Sequence, residues 1–453
     1  MKYVYLDNAA GTAGNPSSIH TPGVEAKNKL NEARRTLAKV LNCHDYEVYF
    51  MPNSTYSIAT ALTAGRDGTI ITSNIEHPAV LENLNKNNET NQYDHNKNII
   101  LKVEENGILK AQTLRNILNT TPSALQAPSP RKDLDTNTFN APQGLDAVWD
   151  TAPETRRLRG LVSIMYANNE IGTIQKVKEY GRIIDEYNRK NNLDADNRVL
   201  YHIDASQASN YLDLETRKLR CDMLTLNSSK CYGPRGVALL YIKEDIRHRV
   251  RPLMRGGNQE RGMYSGTENV AAAMGFAEAL TYVQSIKEVE GLRLCALRDT
   301  FIQMYTDEMW ERRSCGGGGC SSCVCGERLV YGSTEVNERL PNNINIRVPG
   351  IPSDEMVIRL DQKGFAVSHR SACATAGRTS PEEGRRRAVN DIYNKDNVDE
   401  IDLSDGYVLK AIGASDEESN ENIRISMGLY TTMDDMMNLL TAILEIYDRY
   451  SII

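Results

Sequence analysis

Residues 227–236 read NSSKCYGPRG. Lys230 lies behind Ser228 and Ser229 and ahead of a tight Tyr232-Gly233-Pro234 turn. A lysine that only meets solvent needs no such frame, whereas one that must reach a fixed point does. Four other stretches place polar residues just past apolar runs of strand length. Asp204 in HIDASQ puts a carboxylate where it can face a protonated ring nitrogen, with Gln207 three residues on. It can equally cap a helix begun at ASQAS. Ser54 and Thr55 in FMPNSTYSIATAL fall where an apolar run gives way to a helix. Free N–H groups at a helix start favour a phosphate, and simple capping explains the same residues. Asn168 and Asn169 in ANNEIGT can donate amide hydrogens to a ligand oxygen or shape a turn. His77 in SNIEHPAV follows another strand end, where a lone histidine is ordinarily a cap or a satisfied core residue.

None of these residues is decisive alone. Together they supply a phosphate anchor, an acid for a ring nitrogen, amides for a ring oxygen, an imidazole that can stack, and an amine. Pyridoxal phosphate requires that set. The amine makes a Schiff base with the cofactor aldehyde, and the acid keeps the pyridine protonated so that the ring draws electrons.

The elements that position these groups follow from periodicity. Residues 68–73, 160–167, 198–205, 221–228 and 236–243 are short apolar runs, and amphipathic stretches such as VKEYGRIIDEYNRK follow or separate them. That alternation predicts parallel βαβ units, whose chemistry lies at the carboxyl ends of the strands. Residues 265–305 read as long helical material leading to a second region. There 342–348, 364–369 and 422–428 are strand candidates, and TMDDMMNLLTAILEIYDRY is a closing helix. A chain of 453 residues fits two or three domains. The net charge of −7 argues against a general nucleic-acid binder. The start MKYVYLDNAAGTAG lacks an apolar run of signal-peptide length, and no stretch approaches a membrane span, so a soluble cytoplasmic protein is expected.

The polar stretches resemble the cysteine desulfurases of the class V aminotransferase superfamily. The similarity is carried by YLDNAAGT, GNPSSIH, SNIEHPAVLENL, GLVSIMYANNEIGTIQ, YHIDASQA, KCYGPRGVALLYI, GGNQERGMYSGTENVAAAMGFAEAL, LPNNINIRVPG, SACAT and IRISMGLYTT, in family order. The resemblance implies an α/β fold, the fold-type-I pyridoxal-phosphate-dependent transferase architecture. Residues 14–285, with an insertion at about 120–158, would form a large domain on a mostly parallel sheet. Residues 1–13 and 286–453, with insertions at about 314–327 and 381–402, would form a smaller α/β domain carrying the cysteine loop.

The resemblance also implies roles. Lys230 is the Schiff-base lysine, Asp204 the pyridinium partner, and His77 the imidazole stacked on the ring. Asn169 and Gln207 contact the ring's oxygen side. Thr55, with the backbone near Ser54, cradles the phosphate, Asn227 and Ser229 also bind the cofactor, and Thr267 reaches the phosphate across a homodimer interface. Arg424 clamps the substrate carboxylate through its planar fork. Cys373 in HRSACATAG is the nucleophile that takes sulfur from L-cysteine and leaves alanine. An attacking thiolate must be exposed and movable, which the small neighbours Ser371, Ala372, Ala374 and Gly377 suit. His369 and Arg370 either lower its pKa or are solvated loop residues. The implied partners are L-cysteine, a second copy of the chain, and a sulfur-acceptor protein of iron–sulfur assembly or tRNA thiolation; no membrane is implied.

The chain also departs from the family. Ser229 stands where a histidine is usual and Asn227 where a phosphate-binding serine is common. MPNSTYS lacks the usual glycine and glutamate, and the helical stretch between NAAGT and GNPSS is missing. These changes bear on rate and cofactor affinity, and they leave a non-catalytic scaffold as a second reading, beside a related transaminase or selenocysteine lyase. Cys43, Cys221, Cys231 and Cys295 read as small buried hydrophobes. Cys315, Cys320, Cys323 and Cys325 match no strong metal signature, so no metal site is expected, although four thiolates can hold zinc or an iron–sulfur cluster. Arg385, Arg386 and Arg387 read as a solvated charged loop.

Overall fold

The computed structural model describes residues 3–11, 14–66, 68–84, 98–119, 160–313, 327–369 and 406–450. All three expected insertions lie wholly or almost wholly outside this set, as do Cys315, Cys320, Cys323, Cys325 and Cys373. The elements run α1 (Thr21–Leu41), β1 (Val48–Met51), α2 (Ser54–Leu62), β2 (Thr69–Ser73), α3 (Pro78–Leu84), β3 (Ile99–Leu101), α4 (Ala111–Asn119), β4 (Gly160–Met165), α5 (Val177–Lys190), β5 (Leu200–Asp204), α6 (Thr216–Leu219), β6 (Met223–Asn227), β7 (Ala238–Ile242), α7 (Val270–Arg313), β8 (Asn343–Arg347) and α8 (Ser353–Gln362). A short helix (Tyr407–Ala411), β9 (Asn422–Ser426) and a terminal helix (Met433–Tyr450) complete the order.

Seven strands form one sheet in the order β1-β7-β6-β5-β4-β2-β3. Only β7 is reversed: it pairs antiparallel with both β1 and β6, while the other pairs are parallel. The central strands are buried along their length, so they read as continuous apolar runs rather than alternating ones. Side chains still alternate between faces. Leu161 joins the core beneath α2 and α3, whereas Val162 and Ile164 join the core under α1, α5 and the first half of α7. A third core gathers the second half of α7, β8, β9, α8 and the terminal helix. The single helix α7 contributes residues to both of these cores.

One strand candidate is much reduced. Of residues 364–369 only Ser368 makes a β-bridge, to Arg424. The start of the run is used to end α8: Gly364 adopts φ 91°, and the Phe365 N–H donates to the Leu360 carbonyl at 2.9 Å. Among the described residues no helix is long and apolar enough to cross a membrane.

The loop before α7 is pinned by a buried ion pair. Arg34 Nη2 lies 2.6 Å from Glu260 Oε1, its Nη1 donates to Glu260 Oε2 at 2.7 Å, and both side chains are almost fully enclosed. Glu260 Oε2 also accepts the Phe50 N–H. The pair holds Glu260 and Arg261 in left-handed conformations, φ 46° and 55°, which cost energy for residues with a Cβ. Removing one partner of such a pair leaves a buried charge, so Arg34→Ala should lower stability by about 3–5 kcal/mol. Urea unfolding reads this directly, and a loss below about 1 kcal/mol would show that the pair is no anchor.

Candidate active site

Sheet register brings the sequence-predicted groups to one edge. Met165 at the end of β4 pairs with Asp204 at the end of β5, and Asp204 pairs with Thr225 near the end of β6. His77 follows β2, Asn169 follows β4, and Lys230 follows β6, so all share the carboxyl edge with Asp204. Adjacent strands lie about 4.8 Å apart, which places these groups side by side. Met51 of β1 and Asn227 of β6 both pair with Ala238 of β7, so the start of α2 joins the same edge.

Lys230 closes a short 3-10 turn, Ser228–Lys230. The Ser228 carbonyl accepts the N–H groups of Cys231 and Gly233, both at 3.0 Å. A Cβ on Gly233 would stand 2.2 Å from Ser228 Oγ, so only glycine fits there. Tyr232 takes φ 63°, and its hydroxyl accepts the Leu429 N–H at 3.2 Å, tying the turn to the segment after β9. Lys230 is exposed and has no ion-pair partner among the described residues.

Asp204 is buried, and no helix follows it. Its Oδ1 accepts the Ser206 N–H at 3.0 Å, and no described donor engages the other oxygen, which leaves an acceptor for a protonated ring nitrogen. Behind it on the same face of β5, His202 bonds Ser163 Oγ through Nδ1 at 2.9 Å and Thr225 Oγ1 through Nε2 at 3.0 Å. Burial pushes His202 down to about 4, so it is neutral there. His77 Nδ1 accepts the Ala79 N–H at 3.0 Å, which puts the proton of the neutral ring on Nε2. The capping reading therefore holds for one nitrogen and leaves the other free to act. Burial holds His77 below its ordinary value; Asp204 opposes that shift and Lys230 adds to it, so both charges lie near the imidazole.

The two asparagines divide their tasks. Asn168 is buried and structural: Oδ1 accepts the N–H groups of Glu170 and Ile171, and Nδ2 donates to the Ile75 carbonyl. Asn169 keeps its side chain free of described partners, while its carbonyl accepts Arg424 Nη1 at 3.2 Å. Gln207 is half-buried just past Asp204. Arg424 Nε is buried with no partner among the described residues, so the fork is only partly used within the protein. Ser54 and Thr55 open α2 rather than cap it. Asn53 is the cap, taking the Tyr56 N–H at 2.8 Å, and the Ser54 and Thr55 N–H groups have no intrahelical acceptor. Thr267 stands exposed on the loop pinned by Arg34 and Glu260. These donors fit pyridoxal phosphate: an anion cradle, a buried acid with a spare oxygen, and an unpaired amine meet at one edge.

Periodicity did not single out Glu76, which is fully buried, accepts from Ser73 Oγ at 2.6 Å and the Met165 N–H at 2.8 Å, and lies close to Asp204. Burial pushes it up to about 8, so at neutral pH it is mostly protonated and adds little negative charge beside Asp204. Its carbonyl accepts the Tyr407 hydroxyl at 2.7 Å. Ser368 bridges to Arg424, and Cys373, the nucleophile the sequence predicts, lies outside the described residues. The described cysteines are poor nucleophiles. Burial pushes Cys43 and Cys231 up to about 12 and Cys221 well above its ordinary value, and Cys231 Sγ is tied to the Ser228 carbonyl at 3.2 Å. Among the described residues no cluster of His, Cys, Asp and Glu could hold a metal ion.

Comparison with known proteins bears on the family and the fold. The Aminotransferase class-V family matches residues 4–127 and 147–293. A "Cysteine desulfurase IscS" of Dictyoglomus turgidum is 30% identical, over 98% of this chain and 95% of its own length. A solved "NifS-like protein" superposes with a TM-score of 0.68 at 26% identity, covering 96% of this chain and 92% of that one. At 22% identity and a TM-score of 0.57, "SspA in complex with cysteine" shares the fold over 92% of each chain. Its own sheet, its site and these matches make this chain a member of the class-V aminotransferase family.

Proposed function

We propose that this protein is a pyridoxal-phosphate-dependent cysteine desulfurase that converts L-cysteine to L-alanine and leaves the sulfur as a persulfide on Cys373. The carrying observation is the meeting of Lys230, Asp204 and His77 at one sheet edge, with the half-used Arg424 fork bonded to the neighbouring Asn169 carbonyl. When bound, the cofactor supplies an electron sink that lets bonds at the substrate's α- and β-carbons break. Asp204 would hold the ring nitrogen's proton with its spare oxygen, and the start of α2 at Ser54 and Thr55 would bind the phosphate. Lys230 would hold the cofactor through its aldehyde and would move the proton at the substrate's α-carbon. His77, with Nδ1 engaged by the Ala79 N–H, would offer Nε2–H to the cofactor. Arg424 grips the carboxylate, which fixes the thiol end of the substrate. The Cys373 thiolate attacks the substrate sulfur, forming an S–S bond as the Cβ–S bond breaks; Cβ gains a proton and alanine leaves. A thiol reductant then releases sulfide or an acceptor takes the sulfur.

The reading includes a two-domain division near residue 285, a homodimer in which Thr267 completes the partner's phosphate site, and a cytoplasmic setting. The sulfur would go to iron–sulfur assembly or tRNA thiolation. The test is to incubate the purified protein with L-cysteine and dithiothreitol. Equal amounts of alanine and sulfide are expected without any keto-acid acceptor. Turnover that requires a keto acid would point to a transaminase instead.

Arg424 gives a separate handle on substrate. Loss of a charge-assisted pair should raise KM for cysteine about 10- to 100-fold in Arg424→Ala. Steady-state kinetics would show it, and an unchanged KM would remove Arg424 from the carboxylate site.

A further inference from the structure

The two positions that depart from the family beside Lys230 form a directed chain of hydrogen bonds. Asn227 ends β6, and Ser54 lies three residues past Met51 of β1; Asn227 and Met51 flank Ala238 on β7. That register brings Asn227 Nδ2 within 2.9 Å of Ser54 Oγ. Asn227 Oδ1 accepts both the backbone N–H of Ser229, at 3.1 Å, and its hydroxyl, at 3.0 Å. The backbone donor fixes the amide, because a flipped Asn227 would set two N–H groups against each other. Each direction then follows. Oδ1 carries no proton, so the Ser229 hydroxyl donates. Nδ2 has no acceptor capacity, so Ser54 Oγ accepts. The proton of Ser54 is left uncommitted among the described residues, at the start of α2 where two N–H groups are also free.

We propose that Ser229–Asn227–Ser54 is a relay that orients the Ser54 hydroxyl as a donor to the cofactor phosphate, replacing the usual serine and histidine at positions 227 and 229. It rests on the reading of this edge as a pyridoxal-phosphate site. Each bond polarises the next, and a hydrogen bond to an anion is about twice as strong as a neutral one. Asn227 does not touch the phosphate in this account; it is a positioning residue that keeps the Ser54 proton pointed outward.

The test is titration of apoprotein with pyridoxal phosphate, followed by the absorbance of the lysine-bound cofactor, with pyridoxal as a phosphate-free probe. Ser54→Ala should weaken pyridoxal phosphate binding about 10- to 100-fold and leave pyridoxal binding unchanged. Asn227→Ala should weaken it by less, and the double variant should bind no worse than Ser54→Ala alone, because both remove one donor. Asn227→Asp, nearly isosteric, should be worse than Asn227→Ala, since a carboxylate would capture the Ser54 proton and repel the phosphate. Circular dichroism checks folding of each variant. Additive losses, equal losses for both probes, or Asn227→Asp binding like wild type would overturn the relay. Wild-type apoprotein that bound neither probe would instead overturn the cofactor reading on which it rests.

Discussion

Lys230→Ala is expected to end turnover of L-cysteine, with a loss on the order of 10⁴-fold or more. The expectation is large because, on the proposed reading, one amine has two tasks, holding the cofactor aldehyde and moving the substrate's α-proton. Groups that act as a unit lose most of their effect when one is removed. It is also a clean experiment. Lys230 is exposed and forms no ion pair among the described residues, so its removal leaves the core intact. The variant should show wild-type unfolding and should lose its cofactor on dialysis, because the phosphate cradle and Asp204 remain while the covalent tie is gone. A variant with turnover within about tenfold of wild type would move the catalytic amine elsewhere.

Cys373→Ser is the second large effect, and it separates two halves of the reaction. Alanine formation should fall on the order of 10³-fold, because a serine hydroxyl is not ionised at neutral pH and is a poor nucleophile toward sulfur. Cofactor binding should be unchanged, in contrast to Lys230→Ala. No described cysteine can substitute. Cys231, next to Lys230 in sequence, is buried, bonded to the Ser228 carbonyl and pushed up to about 12; Cys43 is pushed up equally far. Alanine released at the wild-type rate by Cys373→Ser would leave the sulfur-transfer mechanism without its acceptor.

Much of the fold was legible because periodicity is a property of sequence. VKEYGRIIDEYNRK is α5 from first residue to last, with Val177, Tyr180, Ile183, Ile184 and Tyr187 buried at helical spacing. The strand runs before Asp204 and Lys230 are β5 and β6, each trimmed by one or two residues at its ends. Single functions for polar residues were harder to read. Asn168 and Asn169 are equivalent in sequence, and only the direction of each side chain makes one structural. Ser54 reads as a cap, yet Asn53 holds that place. Asp204 spends one oxygen on Ser206 and keeps the other, a division that no motif reveals. Glu76 and His202 escaped because their signal is burial beside a charge, and burial belongs to the sheet rather than to neighbours in the chain. Tyr407 is the clearest case: its hydroxyl meets Glu76 across 331 residues, and its short helix packs into the sheet core. The run 364–369 shows the converse, where an extended pattern yields to the turn that ends α8.

The whole account turns on where the sulfur goes. Wild-type holoprotein would be exposed briefly to L-cysteine without reductant, its thiols and persulfides trapped by alkylation, and its peptides mapped by mass spectrometry. One added sulfur atom on the peptide containing Cys373, appearing in step with the first equivalent of alanine, is the predicted result. Alanine accumulating while that peptide stays unchanged, or sulfur found first on Cys315, Cys320, Cys323 or Cys325, would contradict it.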